Sequence, residues 1–399
     1  MERMPQVHQD MESAARIRVV GVGGSGKNAI NHMVNGKVRG VDFIVVNTDA
    51  QDLQQSLAKS KIHIGKNLTR GLGAGMNPEL GKRAAEETQA EIQEALKGSD
   101  MVFIAGGQGG GTGTGAAPII ARIAKDSGAL TVAVVTKPFS FEGQQRMRLA
   151  ESGLEELRKE VDALIVIPND RLLAVVDQNT TVKSAFAMCD EVLRQAVEGV
   201  SDLITTPGSI NLDFADIKAI MQDAGSALMG VGLASGDKRA EEAARMAINS
   251  PLLDISITGA KGVLLSIAGG EDLGLLEVQA AAQIVTETID KNAKVIFGTS
   301  KDDRLKRGEV RVTVIATGFP DEGGTARSAP LFQLSGKKDK RVEEEERPGR
   351  IYNTVLPGAT EEPQKVTEED KKTTPKAVDE DDDWSAVPAF LRRSRKNQE

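Results

Sequence analysis

Residues 100–118, "DMVFIAGGQGGGTGTGAAP", decide the fold. An apolar, strand-like run from Met101 to Ala105 leads into seven glycines within the ten positions Gly106 to Gly115, and a helical pattern follows from Ala116. Glycine loses more conformational entropy on ordering than any other residue, so such a run persists only where backbone must turn tightly or approach something closely. Strand, glycine loop and helix in that order put bare amides at a helix N-terminus, where unpaired N–H groups and the helix dipole favour an anion.

The same arrangement occurs earlier, in "IRVVGVGGSGKNAI" (residues 17–30). Gly21, Gly23 and Gly26 match G-x-G-x-x-G after a strand, with Asp49 further on, which is a dinucleotide fingerprint. Gly21, Gly26 and Lys27 also match a P-loop, but Asn28 stands where that loop needs the Ser or Thr that holds magnesium. A dinucleotide fold needs one such loop and this chain has two. Two cradles on neighbouring strands suit a triphosphate, with Thr112 and Thr114 adding hydroxyl donors, and a third loop, "TRGLGAGMNP" (69–78), is placed to close over the terminal phosphate.

Outward from these loops, apolar strands recur at "DFIVVNTD", "LTVAVVTKP" and "ALIVIPND", separated by helical patterns such as "NPELGKRAAEETQAEIQEALK" and "MRLAESGLEELRKEV". This predicts an α/β protein with a parallel sheet covered on both faces, its ligand at the carboxyl ends of the strands. From Thr181 to Ile204, apolar residues Val182, Phe186, Cys189, Leu193, Ala196, Val200 and Leu203 follow a helical period and predict a long buried central helix. Beyond it, "GVLLSIAGG", "LEVQAAAQIVTETI", "AKVIFGTS" and "EVRVTVIATGF" predict a second, α+β domain. The charged turn in "FGTSKDDRLKRGEVRV" has no explanation at this level.

Composition excludes several classes. The 399 residues carry a formal charge of −8, which argues against a basic nucleic-acid face. One cysteine, Cys189, and three scattered histidines offer neither a disulfide nor a metal-ligand spacing. No apolar run approaches the about 20 residues of a membrane span, so a cytoplasmic protein without direct membrane insertion is expected. Past Pro320 the chain turns to stretches such as "KKDKRVEEEERPGR" and "TEEDKKTTPKAVDEDDD", with too few apolar residues to offset ordering entropy, so a disordered tail is expected. It ends in "WSAVPAFLRRSRKNQE", whose apolar residues on a tether suggest a docking peptide.

"GGGTGTG" (109–115) resembles the tubulin signature. Together with "VGVGGSGKNAI", "VNTDAQDL", "GLGAGMNPELG", "PFSFEGQQRM", "IPNDRLL" and "NLDFADIKAIM", it makes residues 16–319 similar in order to the tubulin/FtsZ family of GTPases, in its bacterial cell-division branch. The tail "VPAFLRR" is similar to that branch's docking peptide.

The resemblance implies a GTP-binding domain at 16–180, the central helix at 181–205 and an activating C-terminal domain at 206–320. An arm at 1–15, a disordered linker at 321–383 and a docking peptide at 384–399 complete the chain. It implies that Gly23, Gly24, Ser25, Gly26, Lys27 and Asn28 cradle phosphates, although Ser25 and Lys27 stand where many members carry glycine or asparagine. Gly109, Gly110, Gly111, Thr112, Gly113 and Thr114 form the second cradle, and Ala74 and Gly75 sense the γ-phosphate. Glu142 and Arg146 touch ribose and phosphate, where spacing alone would give a surface ion pair. Asn169 and Asp190 contact guanine and Phe186 stacks on it; a carboxylate suits the adjacent N1–H and N2–H₂ donors of guanine.

Asn211, Asp213 and Asp216 would act in hydrolysis on the GTP of the neighbouring subunit, where spacing alone equally allows an N-cap and its partner. Magnesium is implied, and whether a monovalent cation joins it stays open. The implied partners are further copies of the chain in protofilaments, and division proteins and membrane tethers that read Ala386 to Arg393 at a mid-cell ring. The residues leave two rivals: an NAD-dependent oxidoreductase, and an assembling nucleotide-binding protein that hydrolyses poorly.

Overall fold

The computed structural model describes residues 15–173, 180–206, 208, 210, 212–250, 257–302 and 304–319. All of these belong to one compact unit. Asn211, the 321–383 linker and the 384–399 docking peptide lie outside the described residues.

Ten strands are described: β1 Ile17–Val22, β2 Val41–Asn47, β3 Ser60–His63, β4 Met101–Gly107, β5 Leu130–Lys137, β6 Ala163–Pro168, β7 Gly225–Ser235, β8 Gly262–Gly269, β9 Lys294–Lys301 and β10 Glu309–Thr317. The helices are α1 Gly23–Asn35, α2 Ala50–Gln54, α3 Lys66–Thr69, α4 Pro78–Glu87, α5 Gln89–Leu96, α6 Thr112–Asp126, α7 Gln144–Glu160, α8 Asn169–Leu172, α9 Val182–Thr205, α10 Phe214–Met221, α11 Arg239–Ile248 and α12 Leu275–Thr288.

The strands form a single sheet in the order β3-β2-β1-β4-β5-β6-β7-β10-β8-β9. Pairing is parallel throughout the first seven, and only β10 runs antiparallel to its neighbours β7 and β8. The two α/β regions expected from the sequence are thus joined edge to edge through β6 and β7, which share a short register from Ala163 to Ile165.

Alternation along the strands builds two cores. Val19, Val45, Phe103, Val132, Val134 and Ile165 pack with α1 and α9 on one face. Val20, Val22, Ile44, Val46, Ile104, Ala133 and Leu164 pack with the α4 to α7 layer on the other. Burial on both faces explains why these strands read as continuous apolar runs. A third core lies between α11, α12 and the β8–β10 strands.

Two local readings differ from expectation. The pattern from Asn77 to Lys97 breaks into α4 and α5 at Thr88. The Thr88 hydroxyl donates to the Ala84 carbonyl and accepts from the Gly65 N–H, so the side chain competes with the helical ladder and ties it to a neighbouring loop. The helix after the glycine run begins at Thr112 rather than near Ala116, so Thr112 to Gly115 form its first turn.

The charged turn unexplained by sequence is where α9 meets the β9–β10 connection. Glu198 of α9 is 2% exposed and accepts from Arg194 on its own helix and from Arg304 beyond β9. Arg304 and Arg311 both bond Asp302, which is itself buried. Burial, with the nearby Glu198, pushes the Asp202 carboxyl up to about 6. Three guanidiniums therefore balance a cluster of acids that apolar packing has taken out of water. Removing one partner of a buried pair costs about 3–5 kcal/mol, since the others are left uncompensated. Glu198→Ala should accordingly lower the urea midpoint by an amount equivalent to about 3 kcal/mol, and Glu198→Gln by less.

Candidate functional site

The site is built on the two carboxyl ends of β1 and β4. Each strand runs straight into a helix, β1 into α1 at Gly23 and β4 through Gln108 to Gly111 into α6 at Thr112. Helix starts in folded proteins are normally capped by a side chain. Here α2, α4, α9 and α10 are capped by Asp49, Asn77, Thr181 and Asp213. Like α3 and α7, helices α1 and α6 have neither a side-chain cap nor an acid in the first turn. Their orphan amides face one cavity of about 380 Å³.

Backbone geometry brings the two starts together. Gly23 has φ +73°, and a Cβ there would lie 3.2 Å from the Gly113 nitrogen. Gly109 has φ +94°, and a Cβ would meet the Arg146 carbonyl oxygen at 2.7 Å. Side chains would be strained at both positions, and at Gly109 would push the loop away from α7. The hydroxyls do other work than expected. Thr114 is buried and its Oγ1 accepts the Gly109 N–H at 2.8 Å, pinning the loop. Thr112 Oγ1 lies 2.6 Å from Thr48 Oγ1, and the Thr69 hydroxyl donates to the Thr48 carbonyl, linking the 69–78 loop to α6.

The opposite wall comes from α9 and the β5 and β6 ends. Phe186, Cys189, Asp190 and Leu193 project from the first turns of α9, with Asn169 at the start of α8 and Glu142 and Arg146 near the start of α7. Phe139 meets Phe186 edge-on at 5.4 Å and stacks on Phe141 at 5.0 Å. Burial pushes the Asp190 carboxyl up to about 6, with His32 and Lys27 opposing the rise. Burial, with the adjacent Asp190, pushes the Cys189 thiol up to about 12, so it is an uncharged wall. Asn169 is 4% exposed, and its Oδ1 has no hydrogen-bond partner among the described residues, as is also true of Gln108 Oε1. A buried acceptor left open in a cavity wall calls for a donor from a ligand or water.

Of the residues expected from sequence, the cavity wall brings together Gly23, Gly24, Ser25, Asn28, Gly110, Gly111, Thr112, Gly113, Glu142, Arg146, Asn169, Phe186 and Asp190. Arg146 donates to Glu142 at 2.7 Å, so the ion-pair reading holds as well as the wall position. Gly26, Lys27, Ala74, Gly75, Gly109 and Thr114 do not line the cavity. Gly26 is a packing contact: a Cβ there would lie 2.7 Å from the Ala105 carbonyl oxygen. Lys27 is buried and bonded to Asp52 at 2.6 Å. Asp213 and Asp216 also lie away from the cavity, and Asp213 Oδ1 caps α10 by accepting the Asp216 N–H at 2.8 Å. Thr136, Pro138, Cys189, Leu193 and Gln108 line it without having been expected. Cys189 and Leu193 were legible only as members of the apolar stripe of α9; both pack in the core and also line the cavity.

A family model described as "Tubulin/FtsZ family, GTPase domain" matches residues 16–177, and one described as "FtsZ family, C-terminal domain" matches residues 225–320. The structure is similar to that of an empty FtsZ dimer from M. jannaschii, at 49% identity over 77% of this chain and 89% of that one, with a TM-score of 0.74. A tryptophan-to-tyrosine mutant of M. jannaschii FtsZ is 50% identical over 77% of this chain and 92% of that one, also at 0.74. CetZ2 of Haloferax volcanii, solved as a GTPγS-bound protofilament, shares the fold at 23% identity over 75% and 92%, with a TM-score of 0.65.

Asp190 generates a pH prediction. A ligand that donates N–H groups to Asp190 favours its ionised form, so it lowers a carboxyl that titrates near 6 in the free protein. Affinity is then flat above that value and falls toward about tenfold per pH unit below it. Calorimetry with GDP at pH 7.5, 6.5 and 5.5 should show this fall, and Asp190→Asn should bind more weakly with the dependence removed.

Proposed function

Because this chain belongs to the tubulin/FtsZ family of GTPases, we propose that it assembles head to tail into protofilaments, and that GTP held by one subunit is hydrolysed when the 211–216 loop of the next completes the site. The phosphates lie on the bare amides of α1 and α6, and guanine lies between Phe186, Asn169 and Asp190. Asp190 accepts from N1–H and N2–H₂, and the open Asn169 Oδ1 is a further acceptor.

The observation that carries the proposal is the separation of acids from phosphate cradle. The cradle is lined by glycines, Ser25, Asn28 and Thr112. Glu142, the wall carboxylate paired with Arg146, has both oxygens engaged: Oε2 accepts from Arg146 and Oε1 from the Phe139 N–H. Asp190 is committed to the base. Among the described residues, the phosphate end of one chain's site thus offers no carboxylate free to orient a water, since Asp52 beneath it has both oxygens bonded, to Lys27 and Asn47. Asp213 and Asp216 are on α10, outside that cavity and reachable by solvent. Asp213 spends one oxygen on capping, which leaves Asp216 as the freer of the two. Phosphoryl transfer needs mainly positioning and charge stabilisation, so delivery of these groups by a neighbour is enough to start it. A contact between two different faces does not close, and propagates as a filament.

Magnesium suits such a cradle, because it is commonly held by substrate phosphates and retained waters with few protein carboxylates, and it would neutralise phosphate charge there. A monovalent cation beside it is part of the same proposal. So is the division into a nucleotide domain at 16–180 and an activating domain at 206–320. Among the described residues no helix is long and apolar enough to cross a membrane. Attachment at a cytoplasmic division ring is assigned to Ala386 to Arg393, read by division proteins and membrane tethers.

Two measurements test the reading. GTPase rate per molecule should be near zero below a threshold protein concentration and rise steeply above it; a rate independent of concentration overturns hydrolysis in trans. Asp216→Ala should keep GTP binding and lose most turnover. Asp213→Asn, which preserves the cap, should also lose turnover without loss of α10 stability.

A further inference from the structure

Lys27 follows the glycine loop at the spacing of a phosphate-binding lysine, yet its side chain turns under the loop instead of into the cavity. It is 7% exposed, and Nζ donates to Asp52 Oδ1 at 2.6 Å. Asp52 is held from three directions. Its Oδ2 accepts from Asn47 Nδ2 at 2.8 Å, its backbone N–H donates to Asp49 Oδ1 at 2.9 Å, and the lysine occupies its other oxygen. Asp52 Oδ2 also lies directly beneath the cradle: a Cβ on Gly24, a cavity-wall residue, would be 3.5 Å from it.

A carboxylate separated from bound phosphates by a single glycine opposes their binding unless a cation balances it, and the partly buried setting of this pair makes that balance stronger than in water. The charge of Lys27 also reaches the far wall, where it is one of two cations that hold down the Asp190 carboxyl. The pair joins the first turn of α1 to α2, so it fixes the floor of the cradle and its net charge together.

We propose that Lys27 and Asp52 are positioning residues that form a charge-balanced floor beneath the phosphate cradle, and that they set how affinity changes with the number of phosphates on the nucleotide. The proposal rests on the guanine-nucleotide reading above. It assigns to Lys27 no direct contact with phosphate, and to Asp52 a role opposed to it in sign.

The test is binding of GMP, GDP and a non-hydrolysable GTP analogue to the full chain by calorimetry. It compares wild type with Lys27→Met, Asp52→Asn, the double variant and the charge-keeping Lys27→Arg, with a thermal melt of each. Lys27→Met leaves Asp52 uncompensated and should weaken the triphosphate by about tenfold or more, GDP less and GMP least. Asp52→Asn should tighten binding in the same order of phosphate number. The double variant and Lys27→Arg should return to within about threefold of wild type, as expected for coupled charges. If Lys27→Met does not fold, the sign of the Asp52→Asn effect decides.

Equal losses for all three nucleotides in both single variants would mean a purely structural pair and overturn the proposal, as would no change in either. A wild-type chain that melts normally but binds none of the three overturns the nucleotide reading, and the proposal with it.

Discussion

Two helix starts with unsatisfied amides, aimed at one space, are the constraint on which the rest of this structure depends. The first N–H groups of a helix have no partner within it, and a folded protein normally supplies one. The chain does so with a side chain at α2, α4, α9 and α10; α1 and α6 lack one, as α3 and α7 also do, and the starts of α1 and α6 line one cavity. The two bare starts are adjacent because β1 and β4 are adjacent and parallel, so both strands end on the same edge of the sheet. Glycine is required at Gly23 and Gly109 for reasons of conformation and contact together, and the Thr114 hydroxyl then pins the loop that Gly109 begins. A cradle suited to an anion follows from topology and from what is left uncapped, with Arg146 as a cationic side chain in the same cavity wall.

The same sheet sets the second half of the site through α9. That helix packs beside α1 against β5 and reaches β8 and β9, and its Phe186, Cys189, Asp190 and Leu193 close the cavity. Its far end carries Glu198 into the charge cluster with Arg304, Arg311 and Asp302 beside β9 and β10. One helix therefore touches both the cavity and the C-terminal part of the sheet. The turn that looked merely charged in sequence supplies the cations that make burial of Glu198 tolerable.

Some features were unreadable for identifiable physical reasons. Lys27 matches the spacing of a phosphate-binding lysine, but the side chain's direction depends on Asp52, 25 positions away, which offers a closer carboxylate. Thr114 reads as a donor to phosphate because it lies in the signature, whereas the packing of α7 at Gly153, where a Cβ would lie 2.2 Å from Thr114 Cγ2, holds it against the loop. Cys189 and Leu193 share the helical stripe with other core residues, and periodicity does not say what a stripe faces. The break at Thr88 needed a partner, Gly65, that only folding brings near.

By itself the sequence determined the α/β alternation, the two glycine loops at strand ends and the long central helix. These are local properties: apolar period, glycine's freedom and helix patterning act over a few neighbouring residues. Only the tertiary structure decided that β6 and β7 make one sheet of both regions, and that Lys27 turns away from the cavity to Asp52. Each of these turns on which distant groups meet, and on whether a polar atom keeps water or a partner once buried.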